Sequence, residues 1–112
     1  MKVKTLGSPF GSITRTRTLV SLSLLGSSFQ RELARLLDAA PSVVQKALTS
    51  LERDGLISGR MVGRTRSYTM NPRYFARAEF GEYLKRLAEA DLDLQARTAE
   101  LRRRPRRAGK PL

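Results

Sequence analysis

One segment, residues 41–53, carries side chains whose types and spacing suit the recognition of base pairs. Val44, Leu48 and Leu51 recur at helical spacing, which predicts an apolar face. The opposite face is hydrophilic, and a helix of this kind fits the major groove of B-DNA, where it can hydrogen-bond to base edges and phosphates. We therefore predict base contacts from Ser42, Gln45, Lys46 and Thr49, a thymine methyl contact from Val43, and a phosphate contact from Arg53.

A second group of cations surrounds Gly63. Two short extended runs on either side of residues 62–65 predict a β-hairpin, and Arg60, Arg64 and Arg66 lie on or beside its turn. A projecting guanidinium suits a narrow minor groove, where the negative potential is deepest. Arg64 is the first candidate for that contact and Arg66 the second, and a merely solvated turn is the alternative.

Further cations lie near the starts of the first two predicted helices, where they can bind flanking phosphates without distinguishing bases. These residues are Arg15, Arg17, Arg31 and Arg35.

Cysteine and histidine are absent from the 112 residues. Their absence excludes disulfides, thiolate nucleophiles, imidazole acid-base chemistry and the commonest zinc ligands. No nucleophile with a base and no phosphate-binding loop is visible either, so we expect neither an enzyme nor a bound metal or cofactor.

The chain has a formal net charge of +12, which favours a polyanionic partner. Residues 11–73 hold ten basic and four acidic residues, whereas residues 74–101 hold four basic and six acidic ones. The last eleven residues add six cations. The central segment and the C-terminal tail are therefore expected to attract phosphate, and the segment between them is not.

The elements that must position these residues follow from local patterns. Ser12 can cap a first helix that ends at Gly26, Ser28 can cap a second helix over 30–37, and Pro41 suits the first turn of the third. The apolar stretch 18–26 is explained better by a buried helix than by a signal peptide. The expected fold is mainly α with a small β-hairpin wing, a winged helix-turn-helix over 12–73 that follows an irregular arm over 1–11.

We also expect a long C-terminal helix after the hairpin. Asn71 and Pro72 predict its start, and apolar residues at spacings of four and three continue to residue 101, with Gly81 as the candidate position for a bend. Pairing of two copies would bury this stripe, and packing back onto its own domain is the alternative. The predicted dimer contacts are Phe80, Tyr83, Leu84, Leu87, Leu94 and Leu101. The basic tail, 102–112, is expected to lack fixed structure and to clamp phosphates or bind an acidic protein.

The stretch from Pro9 to Leu87 resembles the winged-helix regulators of the ArsR-like class. The resemblance lies in a series of fragments: Phe10-Gly11-Ser12, Arg31-Glu32-Leu33-Ala34-Arg35, Ser42-x-Val44-Gln45-Lys46-x-Leu48, Leu51-Glu52-x-x-Gly55-Leu56-Ile57 and Gly63-Arg64-x-Arg66-x-Tyr68-x-x-Asn71-Pro72. The resemblance implies operator binding as a symmetric dimer that represses transcription. Asp38 stands where such turns usually carry glycine, and the metal-sensing Cys and His ligands of that class are absent.

Taken together, these patterns predict a sequence-specific regulator of transcription that binds double-stranded DNA as a homodimer in the cytoplasm, at the nucleoid, without a membrane partner. Two alternatives remain at this point. One is an antitoxin-like interaction protein whose C-terminal segment binds a partner, and the other is a non-specific nucleoid or RNA-binding protein driven by charge.

Overall fold

The first helix carries the apolar side chains around which the other elements pack. The computed structural model describes residues 9–103, and α1 spans Ile13–Leu25 within it. Ser12 caps this helix as predicted, because its hydroxyl accepts a hydrogen bond from the backbone N–H of Arg15 at 3.1 Å. Gly26 ends the helix with a φ of 87°, which favours a residue without a Cβ.

The helix-turn-helix has the predicted bounds. The first of its helices, α2, spans Gln30–Leu37, and the second, α3, spans Pro41–Arg53. Asp38 lies between them in the left-handed conformation, with a φ of 55°. Aspartate enters this region more readily than most residues, so the turn forms without the glycine that is usual there.

A three-stranded antiparallel sheet follows the order β1-β3-β2. Its strands are β1 (Ser27–Phe29), β2 (Ile57–Val62) and β3 (Thr65–Met70), and the last two form the predicted hairpin. The sequence did not predict β1, and the expected cap at Ser28 is wrong. Ser28 lies opposite Tyr68 in the sheet and donates its hydroxyl proton to the Glu32 carboxylate at 2.6 Å.

The connection after the hairpin also differs from the prediction. The next helix, α4, spans Arg77–Glu89, so it starts five residues beyond the predicted Pro72. The Asn71 side-chain amide instead donates to the Gly55 carbonyl at 2.8 Å, and its oxygen accepts from the backbone N–H of Arg73 at 2.9 Å. Asn71 therefore holds the base of the hairpin to the end of α3.

The prediction of a single long C-terminal helix is wrong, because the segment forms two helices, α4 and α5 (Leu92–Arg103). The break lies at Asp91, whose carboxylate caps α5 by accepting from the backbone N–H of Leu94 at 3.0 Å. The same buried carboxylate pairs with Arg17 of α1 at 2.9 Å. This contact turns α5 back against α1 and α2.

One core joins all these elements, since α1 packs against every other helix and against β3. Burying each large apolar side chain in it stabilises the fold by about 2 kcal/mol. Its most deeply buried members are Leu19, Val20, Leu22, Leu33, Val44, Leu48, Leu51, Ile57, Tyr68, Leu84 and Leu94.

The N-terminal arm and the basic tail are only partly covered by the structure. Phe10 packs on the domain as expected, with its ring centroid 5.5 Å from that of Phe80 and 5.8 Å from that of Tyr83. Residues 1–8 of the arm and 104–112 of the tail lie outside the described residues.

Candidate nucleic-acid interface

The hydrophilic face of α3 is turned to solvent. Val44, Leu48 and Leu51 are wholly buried on one side of the helix. On the other side, Ser42, Val43, Lys46, Thr49 and Arg53 are exposed, and Gln45 is half-buried. The six residues predicted to contact DNA therefore lie on or beside one accessible helix surface.

Contacts at both ends hold α3 in place. At its start, the Gln30 side-chain amide of α2 donates to the Pro41 carbonyl at 3.0 Å. At its end, the Arg15 guanidinium of α1 donates to the Ser50 hydroxyl and pairs with Asp54 at 3.1 Å. The orientation of the exposed face is thus determined by side chains from two other helices.

Arg15 and Arg17, which were predicted to bind phosphates, both have partners within the chain. Arg15 donates to the Phe10 carbonyl at 2.5 Å in addition to its bonds with α3. Arg17 pairs with buried Asp91 at 2.9 Å and with Asp93 at 3.5 Å, and its side chain is only 17% exposed. Both guanidinium groups therefore hold the domain together, and their phosphate contacts stay a prediction.

The hairpin turn presents Arg64 as predicted. Gly63 occupies the first position of a two-residue turn with a φ of 68°, as a type II′ turn requires. Arg60 and Arg64 are both exposed, and neither forms an ion pair within residues 9–103. The guanidinium of Arg64 therefore projects from the end of the hairpin and is available to an anion.

Arg66 has a different environment from Arg64. Its guanidinium pairs with Glu52 of α3 at 2.7 Å and lies 5.8 Å from the centroid of the Tyr68 ring. The hydrogen bond that Arg66 donates to Glu52, followed by the charge of that carboxylate, raises the pKa of Arg66. Arg66 thus links the hairpin to α3, and the predicted role as a second minor-groove contact does not account for this link.

Gly59 of β2 makes room for this link. A Cβ at position 59 would lie 2.8 Å from Nε of Arg66 and 3.0 Å from Cε1 of Tyr68. Both distances are shorter than normal contacts, so any larger residue must displace the Arg66 side chain or the buried Tyr68 ring.

We expect Gly59→Ala to lower the free energy of unfolding by about 1–2 kcal/mol through this overpacking. Gly81→Ala is the matched control, because nothing lies within 4 Å of a Cβ at that position of α4. Alanine in a helix interior should raise the same quantity by about 0.5–1 kcal/mol. Urea denaturation followed by circular dichroism measures both, and changes of the same sign would contradict the packing at Gly59.

The helix and the hairpin face one groove of about 320 Å³. Arg31 of α2, Gln45 of α3 and Arg64 of the hairpin all line it. Three further residues that the sequence did not indicate as site residues also line this groove: Phe29, Gln30 and Thr65. Their only signal in the sequence was their position beside the predicted helix and turn. Arg35, although exposed, lines a different cavity, between α2 and α5.

The six residues predicted to form the dimer contact differ in how deeply they are buried in the chain's own core. Leu84 and Leu94 are wholly buried in the chain's own core, as in the alternative in which the stripe packs back on the domain. Phe80, Leu87 and Leu101 pack partly against that core, and Tyr83 remains 45% exposed. Of the six residues, Tyr83 is thus the most accessible to a second copy.

The described part of the chain offers neither a metal-binding cluster nor a membrane-spanning helix. Between residues 9 and 103, no cluster of three or more acidic, His or Cys side chains is arranged to hold a metal ion. Over the same range, no helix combines the length and the apolar character needed to span a membrane.

Comparisons with known proteins agree with the observed architecture. No protein-family model matches the chain, and no curated protein sequence matches it. Among solved structures, the chain resembles a double mutant of ZitR from Lactococcus lactis with a TM-score of 0.56 and 17% identity. The match covers 80% of this chain and 62% of the ZitR chain, which is less than two thirds of the latter. The fold is a winged helix-turn-helix, as predicted.

Proposed function

We propose that this chain is a transcriptional repressor that binds a specific sequence of double-stranded DNA as a homodimer. The observation that carries the proposal is the common groove between α3 and the hairpin, lined by Arg31, Gln45 and Arg64. The winged helix-turn-helix fold, which the chain shares with ZitR, supports the same proposal, because this fold presents its second helix to the major groove.

In this proposal α3 enters the major groove. Its exposed Ser42, Gln45, Lys46 and Thr49 supply the donors and acceptors that distinguish base pairs. Gln45 is already oriented along the helix, because its side-chain amide donates to the Thr49 hydroxyl at 3.1 Å. Arg53 is 71% exposed at the end of α3 and suits a phosphate beside the groove.

The hairpin and α2 would then lie beside α3 on the duplex. Arg64 at the turn would enter the neighbouring minor groove, and Arg31 would contact a phosphate between the two grooves. The Arg66–Glu52 pair, at 2.7 Å, would hold the hairpin at the distance from α3 that simultaneous contacts need.

A homodimer is the most economical way to bring two such surfaces onto one operator. Two chains of charge +12 repel each other, so they should approach through their least basic surface. On α4, Lys85 forms an exposed ion pair with Glu82, and Arg86 forms another with Glu89. Exposed Tyr83 lies on the same helix. We propose that this surface, rather than one continuous helix, contributes the dimer contact.

Selection of bound sequences from a random duplex pool, at about 0.15 M salt, tests this function. A specific regulator should retain one sequence family, and a dimer should retain one with two-fold symmetry. Equal retention of all duplexes would reject specific binding in favour of a charge-driven binder, and an asymmetric single site would reject the dimer.

We expect Arg64→Ala to weaken binding to every duplex by about ten-fold and to lower the slope of log K against log salt by about 0.9. The reason is the loss of one cation–phosphate or minor-groove contact without loss of base contacts in the major groove. Titrations of the selected operator and of random DNA at several salt concentrations measure both quantities. Arg77→Ala, an exposed cation at the start of α4, is the control. An equal effect from both variants would show that only total charge matters.

A further inference from the structure

Glu52 is the only acidic residue of α3, the helix proposed to enter the major groove. A carboxylate on such a helix repels phosphates, so it lowers the affinity for every duplex unless another charge compensates it. Gln45 and Glu52 are seven positions apart, which is nearly two turns, so both lie on the flank of α3 that faces the hairpin. Glu52 is therefore badly placed for a direct contact with DNA and well placed to contact the hairpin.

The guanidinium of Arg66, the hairpin partner of Glu52, is contacted on three sides. Its Nη2 donates to Oε2 of Glu52 at 2.7 Å, and its Cζ lies over the Tyr68 ring, 5.8 Å from the centroid. Its Nε lies beside the backbone of Gly59, where a Cβ would leave too little room. Several contacts restrain a long side chain more than one exposed ion pair does. Arg66 is thus held between α3 and the hairpin.

Three arginines line the groove between α3 and the hairpin, and they differ in whether their charge is neutralised. Arg31 and Arg64 form no ion pair within residues 9–103, so their charges are available to phosphates. The carboxylate of Glu52 cancels the charge of Arg66. The two side chains are 43% and 32% exposed, and ion pairs this accessible to water contribute little to stability. The main effect of the pair is thus on the charge of the DNA-facing groove.

A neutralised arginine affects specific and non-specific binding differently. Contacts between cations and phosphates supply nearly all of the affinity for random DNA, so cancelling one cation weakens that binding. The operator complex loses the same contact, but it also needs α3 and the hairpin in their grooves at once. A hairpin already fixed to α3 meets that need without further loss of entropy. The pair therefore lowers the affinity for random DNA more than the affinity for the operator.

We propose that Glu52 is a positioning residue that raises the preference of the chain for its operator, although it touches no base. Its carboxylate withholds the Arg66 guanidinium from phosphates and fixes the hairpin beside α3. Specificity then comes partly from the removal of an attractive contact that all sequences would share. This inference rests on the proposed DNA-binding function and assigns a role in discrimination to the one carboxylate of α3.

Glu52→Gln tests the inference in the full chain, with the selected operator and a random duplex as ligands. The amide keeps the shape of the side chain and removes its charge, so Arg66 becomes available to a phosphate. We expect the affinity for random DNA to rise by about three-fold to ten-fold, and the slope of log K against log salt to steepen by about 0.9. The ratio of operator affinity to random-DNA affinity should fall at least about three-fold. An unchanged ratio, or weaker binding to both duplexes, would overturn the role of Glu52.

Glu79→Gln is the matched control. It removes the same charge from an exposed position on α4, outside the groove. The affinities for both duplexes should change by less than about two-fold, because salt screens charges that lie far from the phosphates. An equal steepening of the salt slope in the two variants would show that only net charge matters, and the inference would fail.

A double-mutant cycle separates the pair from its two members. Arg66→Gln also releases the hairpin from α3, so it should lower the ratio of operator to random-DNA affinity. The double variant Glu52→Gln/Arg66→Gln should lower this ratio no further than the single variants do, because either substitution already breaks the link. Additive losses would overturn the link between the two residues.

Failure of the inference and failure of the proposed function give different results. If the wild-type chain selects an operator but Glu52→Gln leaves the ratio of affinities unchanged, the DNA-binding function stands and the role of Glu52 is rejected. If the wild-type chain binds no duplex at all, the DNA-binding function is rejected, and the role of Glu52 falls with it. Circular dichroism of each variant at the temperature of the titrations shows that the compared proteins are folded.

Discussion

Replacing Asp91 with alanine should lower the free energy of unfolding by about 3 kcal/mol. The Asp91 carboxylate is 1% exposed and pairs with Arg17, whose side chain is 17% exposed. Its removal leaves a largely buried guanidinium without its closest partner, and it also removes the cap from the first turn of α5. Urea denaturation monitored by circular dichroism measures the change.

Asp93→Ala is the control for this result. Asp93 also pairs with Arg17, at 3.5 Å, but its side chain is 50% exposed, so water screens the interaction. The expected loss is below about 1 kcal/mol. Similar losses for the two variants would mean that Arg17 does not depend on the buried carboxylate and that the connection between α1 and α5 rests on apolar packing alone.

Lys46→Ala should reduce affinity for the selected operator by about ten-fold to one hundred-fold, while affinity for random DNA falls by only a few-fold. Lys46 is exposed in the middle of the α3 face that is proposed to enter the major groove. A hydrogen-bonded contact with a base edge contributes roughly 1–3 kcal/mol of discrimination, whereas a cation near phosphates contributes equally to all sequences. Parallel titrations of the operator and random duplexes measure the difference.

The matched control is Arg77→Ala, which removes one cation from the start of α4, outside the ion pairs proposed for the dimer contact. Arg77 is exposed, and its side chain donates to the Pro72 carbonyl at 2.9 Å, so the fold should tolerate its loss. It should leave the preference for the operator over random DNA unchanged. If Lys46→Ala weakened both kinds of duplex by the same factor, Lys46 would be a phosphate contact and the identity of the bases would be determined elsewhere.

The third helix and the hairpin were predictable because their signals are local. The apolar spacing of Val44, Leu48 and Leu51, together with Pro41 at the first turn, is sufficient to indicate α3 and its buried side. Gly63 between two extended runs is sufficient to indicate the hairpin. In each case, neighbouring residues in the chain determine both the element and the face it exposes.

The partners of the arginines could not be predicted in this way. Arg15 and Arg17 look like surface cations at the start of a helix, and no local pattern distinguishes them from Arg31 or Arg64. Their partners, Asp54 and Asp91, follow 39 and 74 residues later. Packing of α1 against α3 and α5 brings these charges together, and it leaves Arg31 and Arg64 on the surface.

Packing between distant parts of the chain also explains why the C-terminal segment breaks into two helices. Its repeat of apolar residues is compatible with one long helix, and a helix pattern contains no measure of the cost of burying Asp91. In the folded chain, Arg17 offsets that cost and the carboxylate caps a new helix, so the segment breaks and turns back. Short-range periodicity and turn residues were therefore enough to predict the helix-turn-helix and the hairpin. Which cations remain accessible, and where the C-terminal segment breaks into two helices, depends on how the helices pack, because packing brings together ion-pair partners that are distant in the chain.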